Sequence, residues 1–150
     1  MRARNRLQSG SVLLEALFAI LIFSVGILAL VGLQAVSIKN SIDAKYRSDA
    51  SYLANQIVSQ MWVDRANIDN YAHYVNGADC AFTGSAATSL NVARWATQAG
   101  LLLPGVSATG NQILVSTPVA GVKQVTVTVC WQGPRETSAH NFVTTASINQ

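Results

Sequence analysis

Apolar and polar positions divide this chain into three stretches with different periods. From Ala16 to Leu33 no residue is charged, and Ser24 is the one polar side chain. A run of that length is near the minimum that crosses a bilayer as a helix. Beyond Gln34 the pattern becomes amphipathic. Ile42, Tyr46, Ala50, Leu53, Ile57 and Met61 recur at spacings of three or four and form one helical face. Lys39, Asp43, Arg47 and Asp49 occupy the other, with Lys39–Asp43 and Asp43–Arg47 one turn apart. No proline falls between Ser11 and Arg65. The pattern therefore predicts one helix of about 55 residues, roughly 80 Å long at 1.5 Å per residue. Gly26 and Gly32 each weaken it by about 1 kcal/mol relative to Ala. A softened helix is expected near Gly32, or else a close approach of another helix there.

Asn67–Ser89 is rich in Asn, Asp, Gly, Ser and Ala and reads mostly as loop. Asn91–Leu102 reads as a short second helix, stopped by Pro104-Gly105. Strands follow. Gln112–Ser116 is a short one. Lys123–Trp131 alternates cleanly, with Val125, Val127 and Val129 on one side and Cys130 on the other. Asn141–Ile148 is the third, and Gly133-Pro134 starts a turn that makes the last two a hairpin. The fold class is α+β: a long N-terminal helix whose first half is transmembrane and whose C-terminal half packs against a small antiparallel β-sheet head.

Charge sharpens this picture. The 150 residues are 11% charged and 50% apolar, with a formal charge of +3. Three of the ten Lys and Arg side chains, Arg2, Arg4 and Arg6, precede Gly10, leaving seven against seven acidic ones. The basic balance thus belongs to the first ten residues. It marks a cytoplasmic N-terminus by the positive-inside rule and gives no reason to expect nucleic-acid binding. Residues after Val31 then lie outside the cytoplasm. Cys80 and Cys130 both fall in that exported part, where an even pair favours a disulfide; two buried thiols are the alternative. No convincing small-residue cleavage site follows the apolar run, as a secretory signal would require.

Catalytic constellations are not visible in the sequence. His73 and His140 are the only histidines, stand in no metal-ligand spacing and read as loop or strand-edge residues. No CxxC motif exists, no serine sits in a nucleophile elbow, and Gly100, Gly105 and Gly110 do not lead from a strand into a helix. No cofactor or metal is expected. Trp62, Trp95 and Trp131 read better as core than as a binding surface. Tyr71, His73 and Tyr74 read equally as partner contacts or as ordinary exposed loop. The remaining candidate is Glu15, the lone charge between Gly10 and Leu33. A carboxylate at the centre of a span costs about 2.5–3.5 kcal/mol on insertion scales. It is either tolerated near the interface or reserved for a later partner charge.

A basic leader ending in Gly10, Glu15 five residues on, and a long uncharged run together resemble the class III signal of type IV pilins and type II secretion pseudopilins. The resemblance implies cleavage between Gly10 and Ser11 by the prepilin peptidase, N-methylation of Ser11, and an assembly role for Glu15. Ser11 stands where the family usually carries Phe or Met. The new α-amino cation at Ser11 and the Glu15 carboxylate would attract strongly in a dry helix bundle. The run GILALVGLQAVSIKNS leading into YLANQIVSQM, and the order of Trp95, Leu103-Pro104-Gly105 and VTVTVCW, resemble the PilV group of minor pilins. The implied organisation is a leader at 1–10, a membrane and assembly helix at 11–38 and a periplasmic head at 39–150. The implied role is a minor pilin that primes pilus assembly, within a tip complex. Its implied partners are other minor and major pilins, the prepilin peptidase/methyltransferase and the inner-membrane assembly platform. The precursor would be a single-pass inner-membrane protein, and the product part of the pilus. A minor pseudopilin is the nearest alternative; a membrane-anchored periplasmic enzyme or binding protein is one of another class.

Overall fold

α1 runs unbroken over Ser9–Val63 in the computed structural model, which describes residues 9–107, 109–134 and 136–149. The absence of proline permits that length. The backbone stays helical through Gly26 and Gly32, and nothing beyond the helix's own neighbouring backbone lies within 4 Å of where either would place a Cβ. Contacts divide the chain into one unit up to Ile42 and another from Asp43 to Gln150. In the first, every residue from Ser11 to Ile42 is exposed.

The second unit is an α+β head. It begins with nearly six turns of α1, followed by a 3₁₀ helix, Arg65–Tyr71. A small hairpin comes next, β1 (Asn76–Ala78) and β2 (Ala81–Thr83), then α2 (Leu90–Leu102). The main sheet follows: β3 (Asn111–Val119), β4 (Val122–Trp131) and β5 (His140–Asn149). It is antiparallel with β4 in the centre, Val125 opposing Val115 on one side and Ala146 on the other.

One hydrophobic cluster joins these layers. α1 contributes Ala50, Leu53, Ala54, Ile57 and Met61; α2 contributes Val92, Trp95 and Ala99; the sheet contributes Ile113, Val125, Val127, Val129 and Ile148. The valines alternate because successive strand side chains point to opposite faces. Burying a side chain of Leu, Ile, Val or Met size stabilises by about 1.5–3 kcal/mol, so this face of α1 fixes the sheet beneath it. The helical face read from the sequence matches from Ala50 onward, whereas Ile42 is exposed. Trp95 crosses between the helices: its indole N–H donates to the Leu53 carbonyl at 2.9 Å, in a buried setting.

Three elements differ from the sequence reading. β3 continues past Ser116 to Val119, through Pro118, with a register irregularity between Ser116 and Val119. Pro118 fits because β3 is an edge strand, where a missing N–H costs no ladder bond on the open side. The segment read as loop holds the 3₁₀ helix and the β1–β2 hairpin. Trp62 is 46% exposed, so it is not a core residue, while Trp95 and Trp131 are buried. α2 stops because Leu103, extended at φ -112° and ψ 134°, precedes Pro104, whose ring disfavours a helical residue before it. Pro104 O accepts from Gln132 N at 2.9 Å, and Gly105, at φ 66°, comes so close that a Cβ there would lie 2.7 Å from Gln132 O.

Candidate functional site

The sequence directs attention to the start of α1. Gly10 is helical, Ser11 follows, and Glu15 stands one turn further on, exposed. Arg2, Arg4 and Arg6 lie outside the described residues. From Val12 to Leu33 the large apolar side chains are between 46% and 74% exposed. Contiguous apolar surface on that scale exceeds what soluble monomers leave in water. The richest 18-residue window has a mean hydropathy of 2.8 and none of it is buried. Among the described residues this is the one helix long and apolar enough to cross a membrane. Its polar interruption is neutralised locally: Ser24 Oγ donates to Ile20 O at 2.7 Å. That bond spares the hydroxyl an unpaired burial in lipid or among helices. Glu15 is exposed on the same half of α1.

Within the head, Cys80 and Cys130 form the disulfide that their even count favoured. Asp79 and Cys80 are the two turn residues between β1 and β2, and both have positive φ, 52° and 64°. Positive φ at both positions is the geometry of a type I′ turn, normally filled by Asn-Gly or Asp-Gly. Here cysteine takes the glycine place, at a steric cost of about 1–2 kcal/mol, and ties the hairpin tip to β4. Val129, Cys130 and Trp131 are all buried, so both faces of β4 are covered at that end. Phe82, the middle residue of β2, is buried, and its N–H donates to Thr109 O at 3.3 Å.

Two of the three loop rings, Tyr71 and His73, are buried within the head. Tyr71 is fully buried; its hydroxyl donates to Asp64 Oδ2 at 3.0 Å and accepts from Asn91 Nδ2 at 2.8 Å, joining the end of α1 to α2. His73 is 6% exposed and exchanges both backbone bonds with Ile113, each 3.0 Å. Its Nδ1 accepts the Ala87 N–H at 3.0 Å, so that nitrogen carries no proton and the ring is neutral with its hydrogen on Nε2. Burial lowers the His73 pKa from the ordinary 6.5. Tyr74 is half-buried beside it, ring centroids 4.2 Å apart. Sequence reasoning missed these roles; Ile68 and Tyr71, three apart, were the one periodic signal available. His140 stacks on Trp131 and pairs with Glu136 Oε2 at 3.0 Å. The same oxygen accepts the Gly133 N–H at 3.0 Å, clasping the turn before β5.

A cleft of about 240 Å³ lies beside the disulfide, lined by Asp79, Ser107, Trp131 and Gln132 among others. It gathers one carboxylate, a hydroxyl and an amide, without a base placed against a nucleophile. Among the described residues no three His, Cys, Asp or Glu side chains group as metal ligands do. No family model matches this chain, and no curated protein or solved structure matches it either.

Proposed function

We propose that this protein is a minor type IV pilin: a subunit cut after Gly10, held in the inner membrane by α1 with its head in the periplasm, and drawn into a pilus through the same helix. The observation that carries the reading is the pairing of Gly10 and Glu15 at the head of a fully exposed apolar half-helix whose continuation is covered by a disulfide-tied α+β head. An apolar helix serves both environments, because lipid tails and neighbouring helices are equally apolar. Glu15 distinguishes them. In lipid its charge is a cost. In a bundle it meets the α-amino cation of Ser11 on an incoming or neighbouring subunit, and each charge offsets the desolvation of the other. The partners are other minor and major pilins, the peptidase/methyltransferase and the inner-membrane assembly platform. Within the pilus the subunit helps to prime assembly, in a tip complex.

The test joins processing to recruitment. Mass spectrometry of the mature protein should find an N-terminus at Ser11, with or without one methyl group; a terminus after Ala29 would refute the reading. Glu15→Ala should insert and be cut normally, because it lies beyond the cleavage point and removes a cost from the span. It should accumulate in the membrane and copurify poorly with pilins, with Glu15→Asp retaining part of the recruitment. Copurification with secretion-system subunits instead would assign the chain to the pseudopilins, which share these N-terminal features.

A further inference from the structure

β5 is an outer strand of the sheet, and among the described residues no strand or loop pairs with its free side. In an antiparallel ladder alternate residues turn their N–H and C=O groups away from the partner. About half of the ten residues of β5 therefore offer unpaired backbone to solvent. Proteins usually blunt such an edge with lysine, proline, a bulge or a covering element. β5 has none of these. Asn141–Asn149 contains no charge, proline or glycine, and its pairing with β4 is unbroken from Asn149↔Val122 to His140↔Trp131. The solvated face beside the edge is equally neutral: Val143, Thr145 and Ser147 on β5 oppose Thr128, Thr126 and Gln124 on β4.

The strand's own sequence identifies what fits this edge. Read from either end, Asn-Phe-Val-Thr-Thr-Ala-Ser-Ile-Asn is nearly the same pattern. A two-fold axis perpendicular to the sheet keeps each face on its own side, so it must oppose residues of equal parity. We propose that β5 pairs antiparallel with β5 of a second copy of this chain about an axis at Thr145, joining two three-stranded sheets into one of six. In that register Phe142 meets Ile148, Thr144 meets Ala146, Val143 meets Ser147, and Asn141 meets Asn149. An aromatic against a β-branched residue is a favourable cross-strand pair, and no like charges oppose. Shifting the axis to Thr144 opposes His140 to Ile148 and loses the match. The axis also reverses the direction of the α1 segment packed on the sheet. The contact rests on the strand and its edge alone and does not depend on the pilin reading.

The test uses full-length protein in detergent micelles with Cys80–Cys130 intact. Opposed Cα atoms in an antiparallel pair lie about 4.5–5.5 Å apart, within disulfide reach. Thr145→Cys should cross-link to a dimer on mild oxidation. Val143→Cys and Ser147→Cys should stay monomeric alone and cross-link when mixed. Thr145→Lys, on the solvated face, sets two ammonium groups against each other at the axis. Its dimer dissociation constant by analytical ultracentrifugation should rise at least ten-fold, with the circular dichroism unchanged. The proposal is overturned if Thr145→Cys remains monomeric, if Val143→Cys alone cross-links as readily, or if Thr145→Lys associates like the unmodified protein.

Discussion

Removing the Cys80–Cys130 bridge tests how the head is held together. The bridge spans a sequence separation of 50. Closing a loop of that size in the unfolded chain lowers its entropy enough to stabilise the native state by about 4 kcal/mol in the chain-entropy model. Two local terms modify that figure. Cys130 is 2% exposed, so its replacement by Ala also removes packed volume. Cys80 sits at φ 64°, a conformation that costs a non-glycine residue about 1–2 kcal/mol. Cys80→Ala/Cys130→Ala should therefore destabilise the head by about 3–5 kcal/mol. Cys80→Gly/Cys130→Ala relieves the turn and should recover about 1 kcal/mol of that, despite the added freedom glycine gives the unfolded chain. Urea unfolding of the full-length protein in detergent, followed by the fluorescence of buried Trp95 and Trp131, measures both. Hydrogen exchange should show the loss concentrated at Ala78, Ala81 and Phe82, because three-residue strands do not hold a hairpin alone. A loss below about 1 kcal/mol, or a glycine variant less stable than the alanine one, would refute this account of the turn and its bridge.

Two further substitutions probe the core. The buried neutral His73 has a lowered pKa, so the unfolded chain binds its proton first; stability is complete above about pH 6.5 and falls as the pH drops toward the lower native value. His73→Asn, whose Oδ1 can still accept the Ala87 N–H, should flatten that slope in thermal melts between pH 7.5 and 5. Trp95→Phe deletes the donor to the Leu53 carbonyl and part of a buried ring; the carbonyl keeps its helical bond, so the cost should be about 1–3 kcal/mol by urea unfolding.

The elements legible in the sequence are those built by local periodicity. The unbroken α1 followed from the absence of proline and a three-to-four spacing, and β4 and β5 from alternation and a Gly-Pro turn. The disulfide partners were legible because the chain holds two cysteines. Other features depended on neighbours remote in sequence. The first strand of the sheet reads as ending at Ser116, yet β3 runs on through Pro118 because it lies at an edge with an open side. Asn76–Thr83 has little strand propensity; a type I′ turn and the bridge to β4 make it a hairpin. Tyr71 and His73 read as surface residues in a polar loop, yet Asn91, Ile113 and Ala87 complete their hydrogen bonds from 14 to 40 positions away. Trp62 shows the converse, an aromatic left outside because its direction on α1 turns it from the sheet. Periodicity fixes which way a side chain points from its own element. What covers it there is decided only when distant segments pack.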